Sequence, residues 1–260
     1  MKQTVFIKSK DNELIKNIAK LNTGSKYRMQ SGLFLLEGTR LCGDALENNI
    51  PFEKVFFTQD FREKNQKILN SFIDNSDESF EITDYLFKKI SDTVAPQGII
   101  AVCKIPAHNE VAVKSSGKYV ALENISDPSN LGAICRSAEA LGIDGIIVSG
   151  DSVDPYSPKV LRASMGTVLR MPVIIKPDFL EYIKGLNLKK FACVVDRNSK
   201  KISDCDFRGG CVCLIGNEGS GLTETAVNLC DYGITIPMSG RVESLNASVA
   251  AAIVMWEMVK

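Results

Sequence analysis

From residue 119 onward the chain alternates short apolar runs with segments of helical periodicity. No other feature constrains the fold as much. The candidate strands are 119–122, 145–148, 173–175, 191–195, 212–215 and 233–236, and the candidate helices lie near 129–141, 158–167, 179–186, 223–229 and 244–259. Such alternation predicts a mostly parallel sheet with helices on both faces. Sheets of this kind bind ligands beyond the carboxyl ends of their strands. Two of the runs end there in turns rich in small and polar residues: IGNEGSGL from Ile215 to Leu222, and IPMSGRVESLNASVAAAI from Ile236 to Ile253. Two such turns close together point to an enzyme.

The first hundred residues carry a shorter alternation. A helical face over 9–22 holds Leu14, Ile18 and Leu21. After the polar stretch 22–30 come candidate strands 33–36, 54–57, 80–82 and 99–102, with helices 39–47, 62–72 and 84–90 between them. The break at 104–118 contains Pro106, His108, Asn109, Ser115, Ser116 and Gly117, which is linker composition. The expected organisation is therefore a domain over 1–105, a linker over 106–117 and a second domain over 118–260. Lys2, Lys8, Lys10, Lys16, Lys20, Lys26 and Arg28 face only Asp11 and Glu13 in the first thirty residues, a local basic arm able to touch phosphates or simply a solvated helix face.

Composition excludes several classes. Lys plus Arg and Asp plus Glu are both 31, so net charge implies no acidic partner. None of the eight cysteines forms a C-x-x-C pair and His108 is the single histidine, so no structural metal site is expected. The cysteines sit mostly in apolar segments and read as small buried thiols of a reduced, cytoplasmic protein. The apolar run 247–256 is interrupted by Ser248 and too short to span a bilayer, and no signal peptide is expected.

Three segments hold the chemically capable residues. In 123–136, Asp127 or Ser129 caps a helix with Pro128 in its first turn. Arg136 is flanked on that helix by Gly132, Ala133 and Ala140, small neighbours that let a phosphate or carboxylate approach the guanidinium. In 216–222 neither the G-x-x-x-x-G-K-[ST] nor the G-x-G-x-x-G spacing occurs, and Glu218 would repel a pyrophosphate. The loop therefore suits a neutral or cationic ligand, and a nicotinamide oxidoreductase is disfavoured. In 239–246 Ser244 is the expected cap of the last helix, with Asn246 in its first turn. Taken singly, each segment has an ordinary reading: a surface arginine, a flexible turn, a capped C-terminal helix. Together, with no Ser/His/Asp triad and no paired carboxylates, they suit group transfer from an organic cofactor to a polar acceptor.

The stretches DPSNLGAICRSAEALG, IGNEGSGL and IPMSGRVESLNASVAAAI, in this order, resemble the three motifs of the SpoU (TrmH-type) branch of the SPOUT RNA methyltransferases. FLLEGTRL at 34–41 and APQGIIAV at 95–102 more weakly resemble the substrate-binding domain often fused to them. The resemblance implies an α/β fold whose C-terminus forms a trefoil knot, an exception to the usual absence of knots, plus a smaller α/β domain that binds RNA. It implies S-adenosyl-L-methionine as cofactor, held at Leu214, Gly216, Ile236, Met238 and Leu245, with no metal. It implies a homodimer that methylates a ribose 2′-hydroxyl, of rRNA rather than tRNA; an inactive RNA-binding protein of the same fold is the alternative. Arg136, Asn130, Glu218, Ser244 and Asn246 match the family's catalytic positions, with Glu218 and Asn246 expected to orient Arg136 and the ribose.

Overall fold

The computed structural model describes residues 3–106, 112–240 and 242–260. His108 and Asn109 of the expected linker and Arg241 of the third segment lie outside them. The chain divides into two compact units, Met1–Pro106 with Tyr156–Gly166, and Ala107–Pro155 with Thr167–Lys260.

In the first unit β1 (Thr4–Ile7), β2 (Leu33–Glu37), β3 (Phe52–Phe57), β4 (Ser76–Ile82) and β5 (Ile99–Lys104) form one mixed sheet, in the order β1-β4-β3-β5-β2. β1 and β3 run parallel to β4, whereas β5 is antiparallel to both β3 and β2. Helices α1 (Glu13–Thr23), α2 (Ser25–Ser31), α3 (Thr39–Glu47), α4 (Gln59–Lys64), α5 (Gln66–Asp74) and α6 (Asp84–Ile90) connect the strands. Asn12 caps α1, accepting from the Leu14 amide at 2.9 Å, and the helix buries Ile15, Ile18 and Leu21 on one face. The polar stretch 22–30 contains α2, and its Arg28 leaves the expected basic arm. Arg28 is only 3% exposed and donates to the carbonyls of Leu21 (2.6 Å) and Asn22 (3.2 Å), satisfying the open end of α1. The single helix expected over 62–72 is two, because Asn65 (φ −132°) leaves the helical region between them.

The second unit holds β6 (Lys118–Leu122), α7 (Pro128–Leu141), β7 (Gly145–Ser149), β8 (Val173–Lys176), α9 (Phe179–Gly185), β9 (Lys189–Cys193), β10 (Lys200–Lys201), β11 (Cys211–Ile215), α10 (Glu224–Leu229), β12 (Tyr232–Thr235) and α11 (Ala247–Val259). Its seven strands lie in the order β10-β12-β9-β11-β6-β7-β8, and every pairing is parallel. The chain steps from β6 through β7 to β8 at one edge, then returns to place β9 and β10. β11 and β12 fill the gaps left between these strands, so β9, β11 and β12 end side by side. The core on one face joins Tyr119, Ala121, Ile147, Ile174, Val212 and Leu214. α11 packs against α7.

The segment between β7 and β8 corrects the expected boundary. α8 (Pro158–Ala163), capped by Ser157, belongs to the first unit rather than to a continuous 118–260 domain. Tyr156 is buried there with its ring 5.2 Å from that of Phe34, and Arg162 pairs with Asp92 at 2.6 Å. The helix expected to reach 167 stops at 163, because Met165 (φ 53°) and Gly166 (φ 81°) both take left-handed backbone.

Candidate active site at the strand ends

β6 and β11 are neighbours in register, Leu122 opposite Ile215, and each is followed by a carboxylate that reaches across to the other. Glu123, 7% exposed, accepts from the amide and the hydroxyl of Thr223, both at 2.8 Å. Thr223 is the N-cap of α10, in the chain that follows β11. Glu218 returns the arrangement. It accepts from the Ser126 amide (3.2 Å) and hydroxyl (3.0 Å), the Asp127 amide (3.1 Å) and Asn130 Nδ2 (2.9 Å), all at the start of α7. Desolvation pushes the Glu218 carboxyl up, but the bonds from Asn130 and from the amides of Glu218, Ser126 and Asp127 outweigh it and hold the group at about 2. Both carboxylates therefore act as helix-start anchors, where negative charge is favoured.

The loop between Gly216 and Leu222 is tied to itself. Asn217 and Gly221 exchange backbone hydrogen bonds at 3.0 and 2.9 Å, and Asn217 Oδ1 accepts from the amides of Gly219 (2.9 Å) and Ser220 (3.1 Å). A Cβ on Gly216 would lie 2.1 Å from the Gly221 carbonyl carbon, so only glycine lets the loop fold back this closely. Gly221 sits at φ +70°, where a side chain is strained. Asn217 also donates to the Asn124 carbonyl at 2.8 Å, a second tie between the ends of β11 and β6.

Asn130 links the two turns. While its amide nitrogen serves Glu218, its Oδ1 accepts from Asn246 Nδ2 at 2.9 Å. Asn246 is the N-cap of α11, its Oδ1 accepting from the amides of Ser248 (2.9 Å) and Val249 (3.3 Å). This corrects the expectation that Ser244 caps the last helix and that Asn246 lies inside it. The series Glu218, Asn130, Asn246 and α11 is thus one hydrogen-bonded unit joining three loops. Arg136 stands apart from it. The guanidinium is exposed on α7 and makes no hydrogen bond or ion pair among the described residues. Glu218 and Asn246 turn to Asn130 rather than to Arg136 within this chain, unlike the orientation expected of them. Ser244 likewise keeps its hydroxyl free of hydrogen bonds among the described residues.

Beyond the ends of β9, β11 and β12 opens a cavity of about 440 Å³, within the size range of small-ligand sites. Gly216, Ile236, Met238 and Leu245 line it, as do Glu218 and Ser244. Four of the five residues expected at a cofactor are therefore on its wall. The fifth, Leu214, is not: it is fully buried in the core between the sheet and its helices. Its side chain packs with Tyr119, Ala121 and Val212 on the covered face of the sheet. Val194 and Val195 also line the cavity and were not singled out. Their signal was the apolar run 191–195, which overshoots the end of β9 at Cys193. Glu123 was the other omission. Cys135 on α7 is fully buried, which pushes its thiol up to about 12 and leaves it inert.

An all-parallel sheet with a cavity at the carboxyl ends, walled by backbone, apolar side chains and one carboxylate, defines an α/β protein that binds a small organic ligand. Residues 117–256 match the SpoU rRNA methylase family, and residues 12–101 match an MRM3-like substrate-binding domain. An uncharacterised tRNA/rRNA methyltransferase of Synechocystis is 33% identical over 254 residues, covering 96% of this chain and 92% of the relative. The 23S rRNA (guanosine(2553)-2′-O)-methyltransferase of Bacillus subtilis is 27% identical, covering 97% of this chain and 98% of its own. The crystal structure of an AdoMet-bound rRNA methyltransferase from Sinorhizobium meliloti superposes with a TM-score of 0.85 at 26% identity, over 99% of this chain and 98% of that one. The chain belongs to the SpoU rRNA methylase family.

Proposed function

We propose that the protein transfers a methyl group from S-adenosyl-L-methionine to a ribose 2′-hydroxyl of ribosomal RNA. The observation that carries this reading is the strand-end cavity, bounded by Glu218 and Ser244, in a unit whose exposed Arg136 has no partner among the described residues. The cavity suits that cofactor. Ile236, Met238 and Leu245 offer apolar surface, the turn at Gly216 offers backbone close by, and the ionised Glu218 favours a cation over a phosphate. When bound, the cofactor supplies an electrophilic methyl on a sulfonium. The chain's own part is positioning. Glu218, Asn130 and Asn246 fix the loops around the cavity. Arg136 carries a guanidinium, which donates hydrogen bonds and accepts none. Its role is therefore to hold a neighbouring RNA phosphate and to stabilise the alkoxide that forms at the 2′-oxygen. Ser244 offers a free hydroxyl to the acceptor ribose.

The working form in this reading is a homodimer. Val249, Ile253 and Trp256 recur at helical spacing on α11, and Val249 and Trp256 are 47% and 56% exposed, an apolar stripe that a second copy covers. Because α11 packs on α7, such an interface would lie beside the helix that carries Arg136. The placement of β12 between β9 and β10, followed by α11 against α7, supports a C-terminal segment threaded as a trefoil knot. The first unit binds the RNA, with Lys8, Lys10, Lys16 and Lys20 available at its surface and Arg28 withdrawn. In this reading the protein works in the cytoplasm, with the ribosomal RNA; no helix among the described residues is long and apolar enough to cross a membrane.

The test is incubation of purified protein with methyl-labelled cofactor and separate rRNA and tRNA, followed by nucleoside analysis. The reading predicts label in rRNA as 2′-O-methyl nucleosides. Label on a base, or in tRNA alone, would contradict it. Tight RNA binding with no cofactor affinity would instead indicate an inactive RNA-binding protein.

A further inference from the structure

The methyl-transfer reading uses neither of the two N-terminal motifs, 34–41 and 95–102, yet the first unit brings them to one cavity. This cavity of about 250 Å³ is walled by Glu37, Arg40, Ala95 and Gln97, together with Arg162 and Met165 from the segment inserted between β7 and β8. Its polar groups are unevenly spent. Both oxygens of Glu37 are occupied, Oε1 by the hydroxyls of Ser91 and Thr93 and Oε2 by the Asp92 amide at 2.9 Å. Gln97 Oε1 accepts from the Thr39 amide at 2.8 Å, which leaves its NH2 group as a donor. Arg162 pairs with Asp92 through Nη2, but its buried Nη1 has no hydrogen-bond partner among the described residues. Among the described residues Arg40 has no carboxylate partner, and its one polar contact is the Met165 thioether at 3.8 Å, a weak acceptor. The unused capacity is therefore almost all N–H donor, much of it guanidinium.

Such a wall selects an anion with several acceptor oxygens. The cavity is smaller than the roughly 300–1,000 Å³ of pockets that enclose a whole ligand, so it suits a single group of a longer molecule. We propose that it holds a backbone phosphate of single-stranded RNA, gripped by Arg40 with Arg162 behind it, the adjoining sugar lying against Met165 and Ala95. This rests on RNA being the substrate and adds where the first unit holds it. The sequence motif around Arg40 is then a phosphate grip rather than a folding signature, and the excursion carrying α8 completes it.

The test is fluorescence anisotropy of the full chain with a labelled, mixed-sequence, single-stranded oligoribonucleotide over a series of salt concentrations. Arg40 is exposed and makes one weak polar contact among the described residues, to a sulfur, so Arg40→Ala should leave the fold intact. The variant should bind about tenfold more weakly, and the slope of log affinity against log salt should fall by about 0.7, the share of one single-strand phosphate. Arg40→Lys should restore the slope but only part of the affinity, since an ammonium lacks the guanidinium fork. Unchanged affinity and slope in Arg40→Ala would overturn the proposal. So would inorganic phosphate or a nucleoside monophosphate binding as tightly as the oligonucleotide, which would mark a site for free phosphate. Calorimetry with the cofactor on the same samples separates the two readings. Arg40-dependent RNA binding without cofactor affinity sinks methyl transfer and leaves this site standing. Methylation that is indifferent to Arg40 does the reverse.

Discussion

Glu218, Asn130 and Asn246 differ from Arg136 and Ser244 in what their polar atoms do. The first three are spent: each is bonded to another loop or to a helix start, and Asn130 is 6% exposed. The latter two make no hydrogen bond among the described residues and stand open. All five match the family's catalytic positions, with Glu218 and Asn246 expected to orient Arg136 and the ribose. The difference separates groups that hold the site's shape from groups left for a ligand. Glu123 belongs with the spent set although no chemistry was expected of it, and its crossing with Glu218 explains why a carboxylate follows each of two adjacent parallel strands.

If this division is right, substitutions among the spent groups should act first on stability. Glu123→Ala should cost the most, about 3 kcal/mol by urea unfolding, because it removes two charge-assisted hydrogen bonds, from the amide and the hydroxyl of Thr223. A loss within about 0.5 kcal/mol would break the comparison by making Glu123 an idle surface group. Gly216→Ala should cost about 2 kcal/mol through overpacking against Gly221. It should also weaken cofactor binding, measured by calorimetry, because the displaced turn lines the cavity. Asn246→Ala removes a helix cap and should cost about 1 kcal/mol in the same unfolding assay.

The smallest effect is a pH dependence. The fold lowers the Glu218 carboxyl from 4.5 to about 2, so the ionised form is the one favoured by folding. Its contribution is complete above the unfolded value and disappears as pH falls from about 4.5 toward 2. Glu218→Gln should lower the unfolding temperature near neutrality, and its deficit against the unsubstituted protein should shrink across that window. A deficit that is constant with pH would mean the charge of Glu218 contributes nothing to the anchor.

The sequence made the parallel sheet legible because buried parallel strands are continuous apolar runs. The run 119–122 and β6, and the run 212–215 and β11, agree to within one residue. It did not reveal β1, whose Val5 and Phe6 are about half exposed on a sheet edge. Nor did it reveal that α8 joins the first unit, since α8 looks like any other crossover helix and only its tertiary partners Phe34 and Asp92 distinguish it. At the site, motif order identified every residue of the Glu218–Asn130–Asn246 series. Motif order could not say that these residues bond one another rather than Arg136, because hydrogen bonds between positions about 90 to 116 apart depend on loop geometry. Leu214 lies two residues before Gly216 yet is buried in the core of the sheet rather than on the cavity wall, a difference in burial that the motif match does not register.

The most direct test is a paired measurement on Arg136→Ala, comparing single-turnover methyl transfer to rRNA at saturating cofactor with thermal unfolding of the same sample. Arg136 is exposed and has no partner among the described residues, so stability should change by no more than about 0.5 kcal/mol. Cofactor affinity should also hold, while the transfer rate should fall by about 100- to 1,000-fold, the loss typical of removing one transition-state donor. Transfer at the unsubstituted rate, or a rate loss explained entirely by unfolding, would contradict the division between the groups that shape this site and the one that acts in it.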